Sequence, residues 1–121
     1  NLYQFGIRSG TREEYEFGTS RCHLFPHQVL EPLRQVIPTL GDRPVYVTID
    51  IDVMDPAFAP GTGTPEPGGI TSREMIDAVL AMRGLNIVGF DVVEVAPGLD
   101  PTDRTPVLAA KLIREAILAF A

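Results

Sequence analysis

Cysteine, histidine and tryptophan are scarce in this 121-residue chain, which has one, two and none of them respectively. A single thiol, Cys22, cannot form a disulfide within the chain, which favours a reducing, cytoplasmic compartment, and we expect Cys22 to be a small buried residue. No apolar run approaches the roughly 20 residues that a membrane-spanning helix needs. These absences argue against disulfide-rich and membrane-spanning classes and predict a soluble protein.

Positive charge is also scarce, since ten basic residues stand against sixteen acidic ones, for a net charge of −6. The basic residues are scattered along the chain, so we expect no nucleic-acid partner. An acidic balance suits a cationic ligand or a metal ion, although it also serves solubility alone.

The length and the hydrophobic content of 45% suit a single domain, or part of one, over residues 1–121. The first residue is Asn1, and a strand-like stretch comes directly after it, so we expect a piece of a longer protein.

Strand-like and helix-like segments alternate along the chain. Strands are predicted over 2–7, 22–25, 45–50 and 86–95, and helices are predicted to begin at the Thr-x-x-Glu patterns of Thr11 and Thr71. A further helix with apolar residues over 29–40 is expected to end at Pro38. The last helix, over 105–120, is predicted to bury Leu108, Leu112, Ile113, Ala116, Ile117 and Phe120. This alternation predicts an α/β fold whose parallel sheet is covered on both faces.

Two aspartates, Asp50 and Asp52, lie at the end of the predicted strand 45–50. Strand side chains repeat with a period of two, so the two aspartates are predicted to share one face, roughly 6 to 7 Å apart, where they repel each other unless a cation lies nearby. Glu94 lies at the end of the strand predicted over 86–95, and ligands of open α/β sheets bind at such carboxyl ends. The pattern indicates a divalent-metal site.

Other interpretations of the Asp-x-Asp pair differ in how well they agree with the residues after Asp52. A calcium EF-hand loop is excluded, because Met54 and Asp55 stand where an oxygen ligand and a glycine are needed. A phosphatase of the haloacid dehalogenase type remains an alternative, although Met54 departs from its usual pattern. The two acids could also simply cap a turn.

The stretch from Val53 to Ile70 contains four prolines and four glycines in eighteen residues. A loop of this length inside a compact domain is usually functional. Within it, Asp55 precedes Pro56 and is expected to shape the turn rather than to bind a metal.

The segment from Thr48 to Gly69, which contains Asp50-Ile51-Asp52 and Pro60-Gly61-Thr62-Gly63-Thr64, closely resembles the signature of the ureohydrolases, the arginase and agmatinase family. The resemblance continues through 71–74 and through 89–97, which contains Glu94. Essentially the whole chain is similar to the C-terminal portion of a single ureohydrolase domain, most like the agmatinase branch. The resemblance implies a three-layer α-β-α fold with a parallel sheet.

The resemblance also implies hydrolysis of a guanidinium compound, with agmatine as the expected substrate, to urea and an amine (putrescine) at a pair of Mn²⁺ ions. By that analogy Asp50 bridges both ions, Asp52 binds one of them, Glu94 faces the guanidinium group and Thr64 assists through its hydroxyl. No catalytic residue is assigned within this chain, and the complete enzyme is expected to be a homo-oligomer. An arginase, a guanidino-acid hydrolase and a non-catalytic oligomerisation module remain alternatives.

The sequence departs from the family pattern in its metal ligands. A complete ureohydrolase also supplies histidines and aspartates from Asp-His and Asp-x-His-x-Asp segments, and neither segment is present here. We interpret His23 and His27 as structural or surface residues. The chain is therefore expected to hold only part of the metal shell and to be inactive alone.

Overall fold

The computed structural model describes residues 1–121 and contains four α-helices, four β-strands and two 3₁₀ turns. In chain order these are β1 (Tyr3–Phe5), α1 (Arg12–Arg21), β2 (His23–Phe25), α2 (Leu30–Leu40), β3 (Val45–Asp50), a 3₁₀ turn (Ile51–Val53), α3 (Ser72–Ala81), β4 (Ile87–Val93), a second 3₁₀ turn (Pro97–Leu99) and α4 (Arg104–Phe120). The predicted α/β class is confirmed. None of the helices combines the length and apolar character required to cross a membrane.

The strands form two parallel pairs, β1 with β2 and β3 with β4. The predicted parallel pairing is confirmed, but no backbone ladder joins the two pairs. In the β3–β4 pair, Thr48 lies beside Asp91 and Asp50 lies beside Val93. Both strands therefore end at the same edge, which brings the segments after them together.

The hydrophobic core lies between the β3–β4 pair and the helices. α4 packs on β4 and on α3, and α3 also packs on α2. The largest of the fully buried core side chains are those of Ile51, Met54, Val79 and Leu112, each no more than 1% exposed. Because Ile51 and Met54 come directly after β3, the start of the long loop is fixed by burial as well as by backbone hydrogen bonds.

Two helix starts have the predicted capping boxes. Thr11 accepts a hydrogen bond from the Glu14 amide at 3.2 Å, and Thr71 accepts one from the Glu74 amide at the same distance. Each glutamate in turn accepts from the amide of its threonine. Each box satisfies two backbone N–H groups that the helix leaves without partners.

The predicted end of α2 is wrong by two residues. The helix continues through Pro38 to Leu40 and ends at Gly41, whose φ is +58°. A glycine takes this left-handed conformation without the Cβ clash that other residues meet, so Gly41 rather than Pro38 stops the helix.

The buried face of α4 is narrower than predicted. Leu108, Leu112 and Ala116 are buried, but Ile113 is 42% exposed and Ile117 is 63% exposed. The core contacts only one side of this helix, so apolar residues outside that stripe lie on the surface.

Candidate functional site

The carboxyl end of β3 carries the two predicted metal ligands. Asp50 is the last residue of β3, and Asp52 lies in the adjoining 3₁₀ turn, where its amide donates to the Asp50 Oδ1 at 3.1 Å. The predicted placement of both residues on one strand face is therefore wrong, because the strand ends at Asp50. A tight turn brings the two carboxylates together instead.

The electrostatics of Asp50 show that three acids share this edge of the sheet. Burial raises the pKa of Asp50, the hydrogen bond from the Asp52 amide opposes the rise, and the negative charges of Asp52 and Glu94 add to it. Like charges at short range favour protonation of one of them or the approach of a cation. Hard carboxylate oxygens are suitable ligands for a divalent ion such as Mn²⁺.

Glu94 comes directly after the last residue of β4 and has a φ of +61°. Non-glycine residues rarely adopt this left-handed conformation, and strained backbone of this kind concentrates at functional sites. Because Val93 lies beside Asp50 in the register, Glu94 lies at the same edge of the strand pair as the two aspartates.

Thr64 lies in the long loop, and its hydroxyl donates to the Asp52 Oδ2 at 3.1 Å. The structure therefore brings Thr64 to the pair of aspartates from twelve residues further along the chain. Its single hydroxyl proton is used in this bond, which leaves the oxygen free to accept hydrogen bonds.

Asp55 closes the loop that carries Thr64. Its two carboxylate oxygens accept from the amides of Ala57 and Gly68, each at 2.9 Å, and these bonds lower the pKa of Asp55. A Cβ on Gly69 would lie only 2.4 Å from the Asp55 nitrogen, so the two ends of the loop meet too closely for any side chain at Gly69. These contacts support the prediction that Asp55 shapes the turn.

Arg8 binds backbone carbonyls on both sides of the long loop, and none of the sequence patterns predicts this role. Its guanidinium donates to the carbonyls of Val53 and Glu66, each at 3.0 Å, and to the carbonyl of Asp52. One arginine thus joins the segment after β1, the Asp52 turn and the far side of the loop. The only sequence signal near this role is that Arg8 directly follows the strand predicted over 2–7.

Ser9, the next residue, reaches the same side of the loop. Its hydroxyl lies 2.6 Å and 2.7 Å from the two carboxylate oxygens of Glu66. Together with Arg8, this contact fastens both the backbone and the side chain of Glu66.

The histidines lie elsewhere. The His23 ring stacks on Tyr3 with centroids 4.4 Å apart, and His27 is exposed with a φ of +63°. No group of three or more histidine, cysteine, aspartate or glutamate side chains is arranged to hold a metal ion. The acids at the ends of β3 and β4 can therefore contribute ligands to an ion but do not enclose one.

Comparisons with known proteins agree with this geometry. Residues 1–119 match the model of the arginase family. An agmatinase from Bacillus cereus is 55% identical over 123 residues, which cover 99% of this chain and 42% of that protein. A Clostridium difficile crystal structure with a provisional agmatinase assignment superposes with a TM-score of 0.92 at 39% identity, over 98% of this chain and 44% of that one.

An arginase from Bacillus caldovelox superposes with a TM-score of 0.82 at 29% identity, over 93% of this chain and 41% of that one. The chain thus spans about two fifths of the length of these proteins. The family match extends over nearly every residue, and the expected arginase-like fold is confirmed. The chain belongs to the arginase family.

Proposed function

We propose that this chain supplies one wall of a ureohydrolase active site within a longer polypeptide, in which Asp50 and Asp52 bind Mn²⁺ and Glu94 and Thr64 face a guanidinium substrate. The observation that carries the proposal is the convergence of these four residues where β3 and β4 end. The similarity to agmatinases favours agmatine as the substrate, with urea and putrescine as products. This activity belongs to polyamine synthesis, and we place it in the cytoplasm.

The two aspartates suit the metal because they offer hard oxygen donors whose mutual repulsion a cation relieves. When bound, such an ion supplies a Lewis-acid centre that lowers the pKa of water to near neutrality. Since the chain holds no cluster of three ligands, further ligands must come from residues outside it.

Glu94 and Thr64 can recognise the guanidinium group in complementary ways. A carboxylate binds the planar N–H groups of a guanidinium bidentately, which fixes the plane of the substrate. The Thr64 hydroxyl donates its proton to Asp52 in a hydrogen bond, so toward a substrate it can act only as an acceptor. A guanidinium group offers only hydrogen-bond donors, which suits this acceptor. The net charge of −6 further favours the approach of a cation.

The test is urea release by the full-length product of the gene that encodes this chain, with Mn²⁺ and with agmatine, arginine or guanidinobutyrate as substrate. We expect the highest kcat/KM with agmatine. A preference for arginine or guanidinobutyrate would identify the alternative ureohydrolases, and no urea from any substrate would favour a non-catalytic oligomerisation module.

The isolated 121-residue chain is expected to release no urea and to lack two tight Mn²⁺ sites, because two carboxylates cannot fill the coordination shells of two ions. Isothermal titration calorimetry measures the stoichiometry. Two tight sites, or urea release by the isolated chain, would contradict the proposed division of the ligands.

A further inference from the structure

Gly61, in the middle of the long loop, packs against the start of α4. A Cβ on Gly61 would lie 2.8 Å from the Asp100 Cβ and 2.9 Å from the Thr105 Oγ1. The neighbouring Thr62 is 1% exposed, so this part of the loop is buried. The loop therefore depends on α4 for its position as well as on the residues near β3.

Asp100 organises this contact. It is 1% exposed, and its Oδ2 accepts from the Thr105 amide at 2.7 Å and from the Thr105 hydroxyl at 2.8 Å. Its Oδ1 accepts from the Thr102 amide at 3.0 Å and from the Thr102 hydroxyl at 2.5 Å. These hydrogen bonds lower the pKa of Asp100 and keep it charged, although no cation pairs with it.

The Thr105 hydroxyl connects Asp100 to the loop. Its single proton is donated to Asp100, so the oxygen accepts from the Gly61 amide, at 2.7 Å. All three residues in this chain of bonds are buried. If the hydroxyl were removed, the Gly61 amide would lose its acceptor, while Asp100 would keep its other three hydrogen bonds. We call Asp100, Thr105 and Gly61 the loop clamp.

The loop clamp connects to both halves of the proposed site. The Gly61 carbonyl accepts from the Ala96 amide at 2.8 Å, two residues beyond Glu94. In the other direction, only two residues separate Gly61 from Thr64, whose hydroxyl donates to Asp52. Gly61 is thus the one residue whose backbone bonds to both the Glu94 segment and the start of α4.

We propose that Asp100 and Thr105 are positioning residues that set the distance between Glu94 and the Thr64–Asp52 pair. The effect on catalysis rests on the proposed function. The coupling of Thr105 to the Glu94 segment through Gly61 can be measured without metal or substrate. Neither residue is proposed to touch the substrate, and both act through Gly61.

The test compares Thr105→Val, which keeps the shape and removes the hydroxyl, with Thr105→Ser, which keeps the hydroxyl. Thr39→Val is the control for the same substitution at an exposed position, because the Thr39 hydroxyl donates only to the Val36 carbonyl in α2. Amide hydrogen exchange of the 121-residue chain is measured by NMR. In Thr105→Val we expect exchange at Ala96 to rise about tenfold, although its own acceptor is intact, while the amides of β3 and β4 keep their protection.

Unchanged exchange at Ala96 would overturn the proposal, because Gly61 would then be held without Thr105. An equal rise throughout β3 and β4 would also overturn it, because Thr105 would then stabilise the fold without positioning the loop. We expect Thr105→Ser and Thr39→Val to exchange like the unsubstituted chain.

The catalytic consequence is measured on the full-length gene product. Thr105→Val is expected to lower kcat for urea release on the order of 10- to 100-fold with a smaller change in KM, and Thr105→Ser to restore it. Full activity in Thr105→Val would contradict the positioning role. If the unsubstituted product releases no urea, the proposed function fails, and the exchange result still decides whether the clamp ties the two segments together.

Discussion

The two parallel strand pairs of this molecule differ in what holds them. The β3–β4 pair has strands of six and seven residues and contributes Ile49 to a core of fifteen buried residues, whereas β1 and β2 have three residues each and no buried residue. In residues 1–28 only Gly6 and Gly18 are buried. The acids of the proposed site lie on the strongly packed pair, where side-chain positions are best fixed.

The weakly packed pair contributes support instead of ligands. Gly6 lies so close to Val53 that a Cβ would approach its Cγ2 to 2.6 Å, and Arg8 bonds to three carbonyls around the site. Rigid packing thus places the charged groups, and a few long-range polar contacts fix the loop around them.

The two regions should differ most in how much unfolding free energy is lost when an apolar side chain is truncated, as in Leu112→Ala. Leu112 is fully buried in the core, so its truncation is expected to lower the free energy of unfolding by about 2–5 kcal/mol. Phe25→Ala, in β2, removes a stacked ring from a half-buried position and should lower it by only about 1 kcal/mol. Chemical denaturation monitored by circular dichroism measures both, and equal losses would refute the contrast.

Asp52→Asn should abolish most of the activity of the full-length product. The substitution keeps the size of the side chain but removes a charge that we assign to metal binding, so urea release is expected to fall on the order of 100-fold or more. Asp77→Asn is the control, since Asp77 forms only an exposed ion pair with Arg73 on α3. Comparable losses in both variants would remove Asp52 from the site.

Arg8→Met tests the support that the weakly packed pair gives. The variant keeps the length of the side chain but loses the bonds to the carbonyls of Asp52, Val53 and Glu66, at an expected cost of about 1.5–3 kcal/mol in unfolding free energy. Arg12→Met, at the exposed start of α1, should change it by less than about 0.5 kcal/mol. If both variants unfold at the same denaturant concentration, Arg8 does not join the two regions.

Asp100 in the loop clamp should make the free energy of unfolding fall gradually in acid. Hydrogen bonds from Thr102 and Thr105 hold the pKa of Asp100 below its ordinary value of 3.8. A group with a lowered folded pKa contributes stability above its unfolded pKa, and that stability is lost as pH falls toward the folded pKa. Unfolding free energy should therefore decline below about pH 4, less steeply in Asp100→Asn than in Asp103→Asn. Parallel pH profiles for the two variants would show that Asp100 is not responsible.

Much of the fold could be predicted from local sequence signals. The bounds of β3 and both capping boxes depend on residues within a few positions of one another, and the structure has them as predicted. The predicted end of α2 at Pro38 is wrong because a proline near the end of a helix removes only one backbone hydrogen bond. Gly41 provides the backbone conformation that ends the helix.

The support of the site could not be predicted in the same way. The bonds of Arg8 span 44 to 58 residues, and the bond between Gly61 and Thr105 spans 44. Such contacts depend on how the two strand pairs and α4 come together, which no local pattern records. The strand-end pattern points to the three acids, but Asp-x-Asp after a strand is compatible with several chemistries. Only the resemblance of a long segment to a known family predicts their roles and adds Thr64.

The proposed metal site can be tested by the paramagnetic broadening that Mn²⁺ causes in ¹H–¹⁵N spectra of the 121-residue chain. We expect four amide signals to broaden at the lowest Mn²⁺ concentrations, namely those of Asp50, Asp52, Thr64 and Glu94, and we expect Asp52→Asn to remove the effect. Broadening that begins instead at the exposed acids of α1, or that spreads evenly over all acidic residues, would contradict a metal site at the ends of β3 and β4.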